Sequence, residues 1–293
     1  LSQKEQSVFN RLSVFAGGWT LEAVEAVCAD EGIESTEILD VLIQLVNKSL
    51  VLAERSQGEE TRYQLLEIVR QYALEKLTAG GEVDSVRRRH ADYYLVLAET
   101  DAPTVTIRLD RMELEQDNLR AALTWSLSTP GAAELGLRLV LEMGWLWSWR
   151  QRRHESCNWL KRALAHADAA GVGDTQERAR VLTSLGDSYG VEKYSASQGL
   201  LNESLRIFRE LGDISESAEV LHVLGRLARE HGDTATARIR LEESIALFRE
   251  LGDKLRLTGP LLTLGEVAVM QGDAVLATTL LEEVLALEQQ TGN

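Results

Sequence analysis

Apolar residues recur at helical spacing through the second half of this 293-residue chain, and the same pattern returns after about 40 residues. Residues 201–213 hold apolar side chains at i, i+4 and i+7 and end in Gly-Asp, and residues 241–253 repeat them. A third copy begins at Leu281, and a fainter one covers residues 160–164. This spacing is typical of amphipathic helices that end at a glycine cap. Because the intervening segments repeat as well, the pattern predicts four helix pairs.

Each intervening segment contains a Leu-Gly pair, as at Leu224-Gly225. Twelve residues after that glycine lies a small residue, Ala237, and four further on a large apolar one, Leu241. This spacing resembles the tetratricopeptide repeat (TPR), although a TPR unit has about 34 residues and HEAT-type units, with a period nearer 40, remain an alternative. We expect the extra residues in the second helix, before its Gly-Asp turn. Stacked units of this kind form a solenoid whose concave face can bind a partner.

The first 80 residues follow a different pattern. Three short helices are predicted at residues 5–15, 20–29 and 35–47, with Thr20 and Ser35 as N-caps. Two strand-like runs, residues 49–53 and 61–65, are joined by a polar turn at 56–60 and predict a hairpin. The predicted fold is therefore mostly α, with a winged-helix domain at residues 1–80, a helical arm at 81–130 and TPR-like repeats forming an α-solenoid at 131–293.

The charge of the chain changes the usual expectation for a winged helix, which is DNA binding. Residues 1–80 carry seven Lys or Arg against thirteen Asp or Glu, and the third predicted helix contains Glu37 and Asp40. An acidic helix is repelled by phosphates. The formal net charge of the whole chain is −15. We therefore expect no direct nucleic-acid binding, although a winged-helix DNA-binding factor remains an alternative function.

Four segments resemble one family of regulators. They are LSVFAGGWTLEA at 12–23, LVNKSLV at 45–51, YQLLEIVRQYA at 63–73 and EQDNLRAAL at 115–123. The first three are similar to the winged-helix portion of bacterial STAND (NB-ARC-like) ATPases, found in large LuxR-type and AfsR-type transcriptional regulators. The fourth looks like the linker helix before their TPR-like sensor. The resemblance implies a switch in which an inducer, bound through the sensor, releases an ATPase held inactive with ADP.

The resemblance also implies what should lie outside this chain. No GxxxxGK[ST] motif occurs in the sequence, so we expect no nucleotide hydrolysis here and no cofactor, whereas ATP or ADP and Mg would bind the ATPase core of the same polypeptide. Relatives often place a Met-His-Asp triplet after the wing, and its His contacts ADP. The matching positions include Leu66 and Glu67, so a nucleotide-core contact there competes with a core role for Leu66 and a helix start at Glu67.

The TPR register predicts which residues face the groove. The predicted groove has an aromatic patch and a cationic middle between apolar ends. Counted from Gly144 and from the repeat glycines, the groove residues are Arg138, Trp145, Trp149, Arg180, Thr183, Asp187, His222, Arg226, Arg229, Glu266 and Met270. The groove would take an inducer, either a peptide, a protein or a small molecule, and an unoccupied solvated face is the alternative. Core packing is the alternative for the two tryptophans. A freestanding TPR scaffold for protein partners is the alternative function.

Three smaller features complete the expectations. The run at residues 87–90 is either a solvated face or a contact with a phosphate or an acidic neighbour domain. Cys28 and Cys157 are expected to be buried, reduced thiols without a metal, because no CxxC spacing or nearby His accompanies them. No catalytic arrangement, membrane span or signal peptide is recognisable, which predicts a cytoplasmic, non-enzymatic fragment of a longer protein.

Overall fold

The computed structural model describes residues 1–54 and 61–291, and its regular structure is almost entirely helical. The chain forms two compact units, residues 1–150 and 151–293. The fold class is as predicted, a winged helix followed by TPR-like helical repeats. The division between the units falls at neither of the boundaries that the sequence suggested, residues 80 and 130.

Unit 1, residues 1–150, begins with three short helices. Helix α1 spans Gln3–Arg11 and runs into a 3-10 turn at Leu12–Val14, α2 spans Leu21–Cys28, and α3 spans Ser35–Asn47. Thr20 is the N-cap of α2, as predicted, since its hydroxyl accepts from the Ala23 N–H at 3.2 Å. The prediction of Ser35 as a cap is wrong, because Glu34 takes that position and its N–H donates to the Glu37 carboxylate at 3.2 Å.

A two-stranded wing follows α3. Strands β1 (Leu52–Glu54) and β2 (Arg62–Gln64) are antiparallel, with Ala53 opposite Tyr63. The hairpin is therefore confirmed, while the predicted turn at 56–60 lies outside the described residues. Trp19 adds a further pairing, because its N–H and carbonyl exchange two 2.9 Å hydrogen bonds with the Tyr63 backbone. The Gly-Gly-Trp segment before α2 is thereby fixed against the wing.

Five further helices complete unit 1. They are α4 (Glu67–Ala79), α5 (Val83–Glu99), α6 (Val105–Leu114), α7 (Gln116–Ser126) and α8 (Ala133–Trp149). Helix α5 packs against α2, α7 and α8, so the arm and the winged helix share one core. The predicted linker helix α7 is thus an integral part of this unit.

Helix α8 differs from the prediction that made it the first helix of the repeat array. It packs against α5 and α7 within unit 1. A methyl group on Gly144 would meet no atom of the described residues within 4 Å, whereas one on Gly136 would lie 2.6 Å from the Leu127 side chain. The close helix approach that defines the TPR register therefore occurs at Gly136, and the register counted from Gly144 is wrong.

Unit 2, residues 151–293, is an array of helices of similar length. They are α9 (Arg153–Ala169), α10 (Gln176–Tyr189), α11 (Tyr194–Glu210), α12 (Ile214–Glu230), α13 (Thr234–Leu251), α14 (Lys254–Gln271) and α15 (Ala274–Thr291). Among the described residues, three tightly packed pairs carry the Leu-Gly pattern: α10 with α11, α12 with α13, and α14 with α15. The two helices α12 (17 residues) and α13 (18 residues) are together already longer than a 34-residue TPR unit.

The repeated glycines have two physical roles. Gly225 lies where α12 crosses α13, and a methyl group there would lie 2.6 Å from Leu241 Cγ. Gly252 ends α13 in the left-handed conformation, at φ 68°, which favours glycine. The next residue, Asp253, then caps α14 by accepting the Arg256 N–H at 3.0 Å. The repeating Gly-Asp pair therefore ends one helix and starts the next.

Buried serines provide a second repeated contact. Ser204 on α11 donates to the Ala179 carbonyl on α10 at 2.8 Å, and Ser244 on α13 donates to the Ala218 carbonyl on α12 at 2.7 Å. Both hydroxyls are fully buried, so each hydrogen bond fixes the height of one helix against its partner. The 40-residue period thus includes polar contacts as well as apolar ones.

Candidate partner-binding surface

The candidate surface of unit 2 lies on the first helices of the three pairs. Arg226 on α12 is paired with Asp187 on α10 and, at 3.1 Å, with Glu230. Arg229 is paired with Glu230 at 3.5 Å and with Glu266 on α14. These five residues form one chain of alternating charge across three helices, which we call the ion-pair ladder.

The ladder corrects the predicted cationic middle of the groove. Arg226 and Arg229 each contact two carboxylates, so their charges are offset by the protein itself. Arg180, also predicted for the groove, is paired with Glu216 at 3.4 Å. An incoming anion would have to replace one of these carboxylates. The surface is therefore better described as a mixed-charge surface than as a cationic one.

Two other predicted groove residues lie mainly between helices. The Thr183 hydroxyl is 2.8 Å from Ser204 Oγ on the paired helix. The His222 ring nitrogen Nε2 is 3.2 Å from Thr263 Oγ1 on α14, and its ring occupies the space left by Gly259. Both side chains are half-buried, so their principal role is to hold α10 against α11 and α12 against α14.

The apolar end predicted for the groove is present on α14. Met270 is 55% exposed and Leu262 is 46% exposed. Met270 follows Glu230 by 40 residues and Leu262 follows His222 by 40 residues, so they occupy the corresponding positions of the next helix pair. The ion-pair ladder therefore ends at Glu266 on α14, and the same helix also carries exposed apolar side chains.

The three predicted residues of α8 form a separate surface in unit 1. The Arg108 guanidinium lies 4.5 Å from the Trp145 ring centroid, and the Trp145 and Trp149 rings are 6.2 Å apart. Trp149 is 56% exposed, and Arg138 is paired with Glu99 at 2.6 Å. The cation at Trp145 is therefore Arg108 of α6, which was not among the predicted residues and partly covers the ring.

Leu66 and Glu67 start helix α4, but Leu66 is exposed, so its predicted core role is wrong. Glu67 is the first residue of α4, as predicted, and accepts from Arg70 at 2.8 Å. That hydrogen bond holds the pKa of the Glu67 carboxyl below its usual range. Neither side chain can donate a hydrogen bond to a phosphate, so these residues do not fit a direct side-chain contact with ADP.

Helix α3 is the helix that a DNA-binding winged helix would place in the major groove. Its exposed face combines Leu39 and Ile43 with Asp40, and Glu37 is paired with Lys4 at 2.5 Å. This face is apolar and acidic. Its chemistry suits a protein surface better than a phosphate backbone.

A buried polar network that the sequence analysis missed joins the winged helix to α7. Arg62 on β2 is paired with Glu115 at 2.5 Å and donates to the Gly18 carbonyl at 2.7 Å. Asn118 donates to the same carbonyl at 2.9 Å and accepts from the Ala16 N–H at 2.8 Å. Two of the four family-like segments, those containing AGGW and EQDN, thus meet in space, and their presence in the resemblance was the available signal.

The residues of the basic run at 87–90 have different roles. Arg89 donates to the Val27 carbonyl at 2.8 Å, and His90 is buried against Phe15, with ring centroids 5.2 Å apart. Only Arg88 is exposed, where it is paired with Asp92 at 3.0 Å. The run is therefore mainly a structural contact with the winged helix.

The two cysteines are free thiols in different environments. Cys28 is fully buried, as predicted, and burial raises the pKa of its thiol to about 12. Cys157 is half-buried, so the prediction of full burial is wrong for it. Among residues 1–54 and 61–291, no cluster of three or more His, Cys, Asp or Glu side chains is placed to hold a metal ion. No described helix has the length and apolar character that a membrane span requires.

Comparison with known proteins agrees with this architecture. The family model of the winged helix-turn-helix domain matches residues 1–78. A Mycobacterium tuberculosis (strain H37Rv) protein named as an HTH-type transcriptional regulator is 45% identical over 168 residues, which is 56% of this chain and 19% of the relative. The chain thus spans about one fifth of the length of that curated relative.

Solved structures share the fold at low sequence identity. BtubC from P. vanneervenii is 18% identical with a TM-score of 0.59, over 78% of this chain and 93% of that one. A signal transduction ATPase with numerous domains (STAND) and a tetratricopeptide repeat sensor, from Pyrococcus horikoshii, is 16% identical with a TM-score of 0.51. That likeness covers 100% of this chain and 45% of the other. Both likenesses concern the fold alone.

Proposed function

We propose that this chain is the regulatory and sensor portion of a STAND-type ATPase that controls transcription. Its TPR-like helices bind an inducer or a protein partner, and the winged helix couples that event to an ATPase core in the same polypeptide. The observation that carries the proposal is the network of Arg62, Glu115 and Asn118 around Gly18. It joins the winged helix to the arm through buried polar contacts, which a coupling element requires.

The order of domains supports this proposal. A winged helix, a packed arm and TPR-like pairs follow one another, and the Pyrococcus STAND structure is similar along the whole chain. The mycobacterial relative is named as a transcriptional regulator and is much longer than this chain. In this proposal ATP or ADP and Mg bind the ATPase core, and the protein acts in the cytoplasm of a bacterium.

The surface of α3 supports coupling rather than DNA reading by the winged helix. Exposed Leu39 and Ile43 beside Asp40 offer apolar and acidic contacts to a neighbouring domain. Phosphates would be repelled by this face. A DNA-contacting element of the regulator therefore lies in another part of the polypeptide.

Transcriptional output of the intact polypeptide tests the proposal. A thermal-shift screen of metabolites and peptides on chain 1–293 first identifies an inducer. We then expect Asn118→Ala to uncouple output from inducer, because its side chain joins α7 to the Gly18 loop. Asn202→Ala on the exposed face of α11 is the matched control and should respond normally.

Two outcomes would contradict the proposal. One is a normal inducer response from Asn118→Ala at a temperature where circular dichroism shows the variant folded. The other is the lack of any ATPase-coding segment in the reading frame that contains this chain, which would favour a freestanding TPR scaffold instead.

A further inference from the structure

An apolar ridge is exposed on the last helix pair of unit 2, α14 and α15. It consists of four side chains, Leu262 and Val269 on α14 and Leu281 and Leu285 on α15, each at least 38% exposed. We call these four residues the terminal ridge. Single exposed apolar side chains are normal on a protein surface, so exposure alone decides nothing. The 40-residue repeat, however, gives each ridge residue an equivalent in the preceding pair, α12 and α13, where the surroundings differ.

The second helices of the pairs show this difference most clearly. Leu285 is 57% exposed, whereas its equivalents Ile245 on α13 and Leu205 on α11 are 5% and 3% exposed. Leu281 is 38% exposed, whereas its equivalent Leu241 is fully buried. Both residues of α13 belong to one core cluster with residues of the following helix, α14, which packs along α13. In the part of the chain that the structure describes, nothing covers α15 in the same way.

The first helices of the pairs show the same relationship. His222 on α12 contacts α14, and Arg229 on α12 is paired with Glu266 of α14. The equivalents of these two α12 residues on α14 are Leu262 and Val269. All four residues of the terminal ridge therefore occupy positions that, one repeat earlier, contact the next helix pair.

The charged contacts between successive pairs are not repeated at the terminal ridge. Arg249 on α13 is paired with Glu283 on α15 at 2.8 Å. The equivalent of Arg249 on α15 is Gln289, and Val269 takes the place of Arg229 on α14. Both arginines that reach forward to the next pair are thus replaced by uncharged residues. A structure that covers the terminal ridge is therefore held mainly by apolar contacts.

We propose that the polypeptide continues beyond residue 293 with a further helix pair, whose first helix packs on Leu281 and Leu285 as α14 packs on α13. The interface between successive pairs then continues by one repeat, and an amphipathic helix of the same kind supplies the apolar face that the ridge lacks. Helix α15 is then an internal helix of the array, and Leu262 becomes half-buried, as its equivalent His222 is. The proposal requires a longer polypeptide but neither an ATPase nor an inducer.

Thiol labelling tests this proposal. Leu285→Cys is introduced into chain 1–293 and into the intact polypeptide, and peptide mass spectrometry follows its reaction with iodoacetamide separately from that of Cys28 and Cys157. We expect the new thiol to react at least about tenfold more slowly in the intact polypeptide, because a packed helix pair excludes the reagent until it opens locally. Leu281→Cys repeats the test with Leu285 intact, and it should show the same protection.

Ala286→Cys is the matched control on the same helix. The equivalent residue Ala246 remains exposed on α13, although α14 covers that helix. The labelling rate at position 286 should therefore be the same in both forms of the protein. High salt should leave the protection at position 285 unchanged, because the terminal ridge lacks the arginines that form ion pairs between the earlier pairs.

Hydrogen exchange of the intact polypeptide identifies the segment that covers the ridge. The roughly 40 residues after position 293 should be protected as two helices separated by a short turn. Rapid exchange along this whole segment would contradict the proposed helix pair even if position 285 were protected.

Three other results would overturn the proposal. One is equal labelling of both ridge variants in chain 1–293 and in the intact polypeptide. Another is protection in chain 1–293 that increases with protein concentration, because a second copy of the chain would then cover the ridge. The third is protection in the intact polypeptide that high salt removes. None of these results bears on inducer-dependent output, so the terminal ridge and the proposed function fail separately.

Discussion

Asn118 Nδ2 donates to the Gly18 carbonyl at 2.9 Å, across 100 positions of the chain. The Asn118 Oδ1 atom accepts from the Ala16 N–H at 2.8 Å, so one amide group satisfies both backbone groups beside Gly17. Gly17 itself adopts φ 94°, and a methyl group on it would lie 3.4 Å from Asp117. The loop before α2 is therefore shaped to fit α7, and the winged helix and the arm behave as one unit.

Replacing Asn118 by Ala should lower the free energy of unfolding of this unit by about 2–3 kcal/mol. The substitution leaves the Ala16 N–H and the Gly18 carbonyl without this partner in a largely buried position. Urea denaturation of chain 1–293, followed by near-UV circular dichroism, measures the loss. Asn202→Ala on the exposed face of α11 should change it by less than about 0.5 kcal/mol. Equal midpoints for the two variants would show that the network contributes no stability.

Alanine substitutions at helical glycines should produce a graded stability series. Gly225→Ala places a methyl group 2.6 Å from Leu241 Cγ, so we expect a loss of about 1–3 kcal/mol. Gly265→Ala, with its nearest contact at 3.6 Å from Leu281, should be tolerated. Gly199→Ala on α11 meets nothing within 4 Å and should stabilise by about 0.5–1 kcal/mol through helix propensity. Thermal unfolding of the three variants gives the order, and a Gly225 variant as stable as the Gly199 variant would contradict the close approach.

Alanine substitution also distinguishes the two registers of α8, one counted from Gly144 and the other from Gly136. Gly144→Ala should be stabilising or neutral, whereas Gly136→Ala should destabilise because Leu127 lies 2.6 Å from the added methyl group. The reverse order would restore the register that the sequence suggested.

His90 should remain neutral far below its ordinary pKa. Burial lowers the pKa of its imidazole to about 4, against the weaker opposing effect of its contact with Asn118. Between the unfolded value near 6.5 and about 4, the unfolded chain binds a proton that the folded chain does not. Stability contributed by His90 is therefore complete above about pH 6.5 and falls as pH drops toward 4, by about 3 kcal/mol in total.

Two measurements check this behaviour. Proton NMR of the His90 ring in chain 1–293 should give an apparent pKa below 5. The stability difference between pH 7 and pH 5 should shrink in His90→Gln, which lacks the titrating group. A His90 resonance that titrates near 6.5 would contradict the buried environment.

Arg226 tests the ion-pair ladder as a partner surface. Arg226→Glu places a third carboxylate beside Asp187 and Glu230, and we expect it to abolish the inducer response while the helical circular dichroism spectrum is kept. Trp145→Ala in unit 1 should keep the inducer response, because α8 packs outside the TPR-like array and Trp145 stacks under Arg108 there. Arg238→Glu on α13, where Arg238 is paired with Glu242 of the same helix at 2.8 Å, is the control. A normal inducer response from Arg226→Glu would show that the ion-pair ladder does not bind the inducer.

The repeat contacts could be predicted because they depend on local spacing. The Gly225–Leu241 approach and the Gly-Asp caps recur every 40 residues, so the sequence displays them directly. Contacts between successive helix pairs of unit 2 are harder to predict from the sequence pattern alone. The pairing of Arg226 with Asp187 joins residues 39 apart on different helices. Whether these two side chains meet depends on how the helices pack, which the composition does not reveal.

Two features of unit 1 were less predictable for a similar reason. Helix α8 has an apolar pattern that fits either a repeat or a core helix, and its packing against α5 and α7 decided between them. A core role was one of the two alternatives for Leu66, yet it is 57% exposed. An exposed leucine at a helix start carries no sequence signal of its own.

Nucleotide turnover in the intact polypeptide tests the regulatory role most directly. The comparison is between the proposed STAND polypeptide with residues 1–293 and the same polypeptide from which these residues are deleted. We predict that the complete form retains ADP and turns over ATP slowly without inducer, and that the shortened form releases ADP and turns over faster. Equal ADP retention and equal turnover in the two forms would contradict the proposal that this chain restrains an ATPase.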